Sequence, residues 1–110
     1  MPAVESLLQG AADLHCHFAP DAHRARSVNA IEAALDAVAA GHAALVLKSH
    51  DYPTAPLARI VGEIVPGIQV FGGVCCDRDV GGVNPAAVDT TLRLGGKIVW
   101  LPTLTSRQDF

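Results

Sequence analysis

The chain has 110 residues, half of them apolar, and a formal charge of −3. That length and composition suit one domain with a real core, while eight basic residues scattered along the sequence exclude a nucleic-acid footprint and a polybasic membrane patch. No apolar run approaches the roughly 20 residues needed to span a bilayer, and the stretch Met1–Gly10 does not read as a signal peptide. Three cysteines, Cys16, Cys75 and Cys76, lack framework or C-x-x-C spacing. They predict reduced thiols in a cytoplasmic protein.

Residues 1–9 read as a short lead-in turn or helix, and Gly10–His17 as the first strand. Within it, Asp13-Leu14-His15-Cys16-His17 sets two histidines one residue apart. Strand alternation would point Asp13, His15 and His17 to one side and Leu14, Cys16 and Phe18 to the other. Two imidazoles on one face at a strand end can share a divalent ion. Residues 18–28 form a polar loop with His23, Arg24 and Arg26, either solvated or in contact with an anionic substrate.

Asn29–Ala40 reads as a helix, with Asn29 as cap, Glu32 completing a capping box and Gly41 as a left-handed terminus. Ile31, Ala34, Leu35 and Val38 fall on one helical face. Ala43–Lys48 is a second strand, apolar on both faces as in a covered parallel sheet. It ends in the polar run Lys48-Ser49-His50-Asp51, with Lys48 and His50 on one face. Thr54 is placed to cap a second helix running to Ile64, with Pro56 in its first turn and Leu57, Ile60, Val61 and Ile64 as its apolar face.

Ile68–Cys75 is a third strand, interrupted by Gly72-Gly73 as a close approach or bulge. The loop to Val83 contains Gly81-Gly82, by default a tight turn and otherwise an anion cradle at the following helix. Asn84-Pro85 opens the third helix and Gly95-Gly96 closes it. Lys97–Leu101 is a fourth strand, followed by Pro102-Thr103.

Strands and helices alternate, which implies right-handed crossovers and a parallel sheet. The fold class is therefore α/β. About four parallel strands alternating with three helices make the N-terminal half of a TIM-type barrel, whose complete form takes eight units and about 250 residues. The chain, 1–110, is expected to be one partial barrel domain of a longer protein, with a small open α/β domain as the alternative. In such folds functional groups sit at the carboxyl ends of strands. Here those ends carry His15 and His17, then Lys48, His50 and Asp51, then Asp77 and Asp79, then Thr103, whereas the opposite ends carry Gly, Ala and Pro.

Asp13-Leu14-His15-Cys16-His17 resembles the first-strand D-x-H-x-H signature of metal-dependent hydrolases of the amidohydrolase superfamily. Val80-Gly81-Gly82-Val83-Asn84-Pro85 and Trp100-Leu101-Pro102-Thr103 are similar to an uncharacterised branch of it. The resemblance covers the chain as an N-terminal half-barrel and implies His15 and His17 as metal ligands. That superfamily often uses a lysine at the end of strand four, whereas Lys48 ends strand two, and its later ligands fall beyond the matched half. Ser49-His50-Asp51 resembles the second-strand D-H-D of PHP phosphoesterases. That match alone implies His50 as a third ligand, but Pro66-Gly67-Ile68-Gln69 places Gln69 where that family has a glutamate.

The expected function is hydrolysis, in which a divalent ion activates water for attack on an amide, ester or related bond of a small-molecule substrate. The alternatives are a PHP-like phosphoesterase, a lyase such as a decarboxylase, or a non-catalytic metal-binding scaffold. The metal is expected to be zinc, although manganese, iron and nickel also suit histidines. Lys48 is expected to stabilise developing negative charge or hold a substrate carboxylate, against a plain rim salt bridge. His50 is expected to ligate or carry a proton, and Asp13 to orient an imidazole or serve as a buried structural carboxylate. His42, on the opposite rim, reads as structural, and Cys16 as a small buried apolar group. The sheet edges are expected to be covered by a homo-oligomer or a C-terminal half-barrel.

Overall fold

A computed structural model describes residues 4–105. The lead-in is the short helix α1 (Val4–Leu7); its first three residues lie outside the described range. The succession β1 (Ala12–Cys16), α2 (Ala30–Ala39), β2 (Ala44–Leu47), α3 (Ala55–Ile64), β3 (Gln69–Phe71), β4 (Gly73–Cys75), α4 (Pro85–Arg93) and β5 (Ile98–Trp100) follows, with a 3-10 turn at Arg78–Val80. All pairings are parallel, so the described residues form a mixed α/β unit compatible with half of a barrel.

Among the described residues the strands number five rather than four. The single strand expected over residues 68–75 breaks at Gly72, where β3 pairs with β2 and β4 pairs with β5, giving sheets of order β1-β2-β3 and β4-β5. The break has a steric origin. A side chain at Gly72 would run into the backbone of Thr54 and Ala55, and one at Gly73 into the Ile98 carbonyl. Only glycine lets these chains approach so closely. Thr54 does not cap α3 with its side chain, contrary to expectation. Its buried hydroxyl donates to the Leu47 carbonyl at 2.7 Å and accepts from the Gly73 amide at 3.0 Å, joining β2 to β4 across the break.

The local signals hold. Asn29 and Glu32 exchange the two hydrogen bonds of a capping box, at 2.8 and 3.0 Å. Asn84 caps α4 by accepting from the amides of Ala86 and Ala87. Gly41 adopts φ +81° and its amide donates to Val38.

The helix faces are those expected only in part: Ala34 and Val61 are fully buried and Val38 and Leu57 pack on the core, but small residues take the rest of the inward face. In α2 the buried residues are Ala30, Ala33, Ala34 and Ala37, and in α3 they are Ala55, Ala58 and Val61. Leu35, Ile60 and Ile64 are each about half exposed. Small residues let the helix axes sit close against the sheet, so the stripe of alanines turns inward, with both stripes spaced at i, i+3. The core lies between sheet and helices and gathers Phe18, Leu45, Leu47, Val61 and Val65 with those alanines.

Candidate metal and anion site

Among the described residues β1 pairs only with β2, and its register slips. Asp13 stands opposite Leu45 and Cys16 opposite Leu47, so three steps on β1 match two on β2. This is a bulge of one extra residue. It corrects the alternation expected for Asp13: that carboxylate turns to the helix side, where it lines a small cavity with Cys16, Ala33, Ala37 and His42. Its Oδ1 accepts the His15 amide at 3.0 Å, so it supports the bulge rather than an imidazole. Cys16 and Phe18 pack on the core, as expected from their positions.

The open face receives the histidines. His15 Nε2 and His17 Nε2 lie 3.1 Å apart, with ring centroids 5.0 Å apart. The His50 ring stacks on His17 at 5.1 Å. Lys48, at the end of β2, is 4% exposed, and its Nζ sits 5.0 Å from the centre of the Trp100 ring on β5. His15, His17, Lys48 and His50, the four site residues singled out in the sequence, all line one cavity of about 680 Å³, together with Arg24, Arg26, Thr103 and Leu104.

Electrostatics favour the neutral form of two of these imidazoles, His15 and His17. Burial lowers His17 to about 4, aided by Arg26, His50, His15 and Lys48. Burial and Lys48 also lower His15. Both rings therefore keep free lone pairs at neutral pH, the form a metal requires.

Asp77, which follows β4, organises the second half of the site, a role the sequence did not disclose. Its side chain is fully buried. Oδ1 accepts from the Thr103 amide at 3.0 Å and from the Thr105 amide and hydroxyl at 3.0 and 3.1 Å. Oδ2 lies 2.6 Å from His50 Nδ1. Burial alone would raise this carboxyl, but the hydrogen bonds from Thr105, His50 and Thr103 prevail and hold it at about 2. With Nδ1–H donated to Asp77, His50 keeps its lone pair on Nε2, the carboxylate–histidine arrangement that supports metal ligation. The only signal for Asp77 in the sequence was its place two residues beyond a strand end.

Two sets of three residues bring all their donor atoms within 4.8 Å of one another, His50–Cys75–Asp77 and His23–Asp51–Asp79, so groups able to hold a metal ion are present. In the first, burial pushes the Cys75 thiol up to about 12 and Asp77 already serves five donors, which leaves His50 as its available ligand. The second lies on the same rim: His23 Nε2 is 2.7 Å from Asp79 Oδ2 and 3.5 Å from Asp51 Oδ1. His23 thus leaves the cavity that Arg24 and Arg26 line. The loop that carries them is folded around Asp21, which accepts from the His23 and Arg24 amides and from Arg26 Nε.

The His15–His17 pair passes the geometric test for a divalent ion. Two nitrogens at about 2.05 Å from one ion stand about 2.9 Å apart at a right angle and about 3.3 Å apart at the tetrahedral angle. The observed 3.1 Å lies between these limits. Gly81 and Gly82, by contrast, make a tight turn at φ +91° and +72°, with their amides donated to the Arg78 and Asp77 carbonyls; they do not form an anion cradle. No helix among the described residues is long and apolar enough to cross a membrane.

The chain belongs to a family of unknown function, DUF6282, whose model matches residues 10–110. No curated protein and no solved structure matches it.

Proposed function

We propose that the chain carries the metal-binding rim of a hydrolase that cleaves an amide, ester or related bond. The observation that supports this most is the 3.1 Å gap between His15 Nε2 and His17 Nε2, both on rings held neutral. These two nitrogens would hold one divalent ion, zinc in our reading, with His50 Nε2 as third ligand only on a turn of its ring, since the three histidines do not bring their donor atoms within 4.8 Å of one another. Such an ion supplies Lewis-acid chemistry, making water nucleophilic near neutral pH and polarising an acyl or phosphoryl oxygen. Asp77 fixes the His50 tautomer by accepting from Nδ1. Lys48, on the same cavity wall, faces negative charge as it develops.

The phosphoesterase reading is the weaker of the two. Gln69 opens β3 opposite Ala44, which in turn stands opposite Ala12, so it sits at the strand-start rim, away from the histidines. The free thiols of Cys16, Cys75 and Cys76 fit a reducing compartment, and we take the cytoplasm as the setting. Exposed Leu14 on β1 and Val99 on β5 fit sheet edges covered by a further half-barrel, from a second copy or from the same polypeptide.

The test is elemental mass spectrometry on protein purified without chelator or affinity histidines. About one ion per chain is expected, lost in a His15→Ala/His17→Ala variant. A folded wild-type chain that binds no zinc, manganese, iron or nickel would sink the reading. A loaded chain inert to a panel of amides and esters would leave a metal-binding scaffold.

A further inference from the structure

The cavity beside the histidine pair has a one-sided charge. Arg24, Arg26 and Lys48 line it, and no aspartate or glutamate does. Arg26 is committed through Nε to Asp21 at 2.8 Å, outside the cavity wall. Arg24 uses only its backbone amide with that carboxylate, and its guanidinium has no ion pair among the described residues. Lys48 is the telling residue. Its side chain is more than nine-tenths buried, yet its ammonium makes no hydrogen bond or ion pair among the described residues. The face of Trp100 lies 5.0 Å from it, and its charge reaches His15 and His17. Its Nζ is not among the buried side-chain atoms left without a partner, so the ammonium opens on the cavity, where no aspartate or glutamate of the described lining meets it and an anion from outside can. A histidine supplies no negative charge, and a divalent ion on the pair would add positive charge to the same space.

We propose that Lys48 and Arg24 form an oxyanion-binding subsite, so that the substrate carries a carboxylate or phosphate group seated on Lys48 beside the bond presented to His15 and His17. The subsite deepens the hydrolase reading and rests on it for the word substrate; anion binding itself does not depend on metal. Trp100 sets the distance between the two parts, because its ring lies 6.3 Å from that of His15 and 5.0 Å from Lys48 Nζ. Arg24, on the loop that follows β1, lines the same cavity and offers a planar donor fork suited to carboxylate and phosphate alike.

Isothermal titration calorimetry of inorganic phosphate and of succinate into the metal-stripped chain, then into the zinc-loaded chain, tests this at low ionic strength. Saturable binding is expected in the stripped chain. It should weaken at least about tenfold in Lys48→Met and several-fold in Arg24→Gln. Lys97→Met, at the opposite end of β5 beside Phe71, should leave it unchanged. The tighter of the two probes identifies the group as phosphate or carboxylate. Circular dichroism checks that Lys48→Met folds, and Arg24, being exposed, gives a second variant that does not risk the core. Binding equal in wild type, Lys48→Met and Arg24→Gln overturns the proposal, as does no binding in either form. Binding that appears only with zinc and ignores Lys48 also overturns it while supporting the metal site. Binding intact in a chain that takes up no metal upholds the subsite and removes the hydrolase reading.

Discussion

The molecule contains two histidine–aspartate pairs of nearly equal length and unequal surroundings. His50 and Asp77 meet at 2.6 Å with side chains 11% and 0% exposed; His23 and Asp79 meet at 2.7 Å with side chains 33% and 23% exposed. Separation therefore says little about what each pair does. Asp77 is anchored by four further hydrogen bonds to Thr103 and Thr105, which hold it ionised and in place. Its partner is oriented rather than captured. His23 is held to its partners by a hydrogen bond to Asp79 and by charge, and it joins the loops after β1, β2 and β4 most firmly while it is protonated. Burial and a saturated carboxylate make a positioning device; exposure and bare charge make a pH-dependent clasp.

The largest effect should come from Asp77. Asp77→Ala removes a buried carboxylate and strands its donors, a loss on the order of 3 to 5 kcal/mol in urea unfolding. Asp77→Asn keeps the volume and part of the network, so it should fold, and the zinc affinity of the chain should fall about 10- to 100-fold as His50 loses its fixed tautomer. Asp79→Asn should leave both zinc affinity and the urea midpoint nearly unchanged, since exposed pairs add little. Equal losses from Asp77→Asn and Asp79→Asn would erase the distinction drawn between the pairs.

What was legible in the sequence was local. The capping box of Asn29 and Glu32, the Asn84 cap and the gathering of His15, His17, Lys48 and His50 at one rim depend on residues near in sequence or on strand direction alone. What was not legible depends on how closely distant segments approach. The bulge that turns Asp13 away, the change of partner at Gly72 and the inward alanines of α2 each reflect contact between chains far apart in sequence. Hydrophobicity favoured Ile31 and Leu35 as the buried face, whereas the space between helix and sheet admits only small side chains there. Asp77 was placed at the rim but its role was not legible, because a carboxylate gains its role from the amides folded around it, here those of Thr103 and Thr105, which belong to the loop after another strand.

Acid should separate the buried cluster into two stages. His17 stands at about 4 in the folded chain, below its ordinary 6.5, with burial as the main cause. Between those values the unfolded chain binds more protons, so stability is full above 6.5 and declines as pH falls toward 4. Asp77, at about 2 against an ordinary 3.8, gives stability present above 3.8 and lost as pH falls toward 2. Urea midpoints at pH 7, 5 and 3 should show both declines. His17→Gln should flatten the first and spare the second; a wild-type midpoint constant from pH 7 to 4 would mean that His17 is not held neutral by its surroundings.

The smallest effect belongs to His23 and has the opposite sign, which makes it the sharpest comparison. The hydrogen bond to Asp79 raises His23 against a desolvation that opposes it, and the charges of Asp79, Asp51 and Asp21 add to the rise. A raised folded value means that the clasp contributes fully below 6.5 and is lost as pH rises through the folded value. The two histidines thus respond to the same pH change in opposite ways: acidification strains the cavity at His17 while it tightens the loop clasp at His23. Proton NMR titration of the imidazole resonances reads both in one sample. His17 should titrate well below 6.5 and His23 above it, and Asp79→Asn should bring His23 back toward 6.5 without moving His17. A His23 that titrates at 6.5 in the wild type would show that the exposed pair does not persist in solution, and the contrast between the pairs would then reduce to one buried network facing an unconstrained loop.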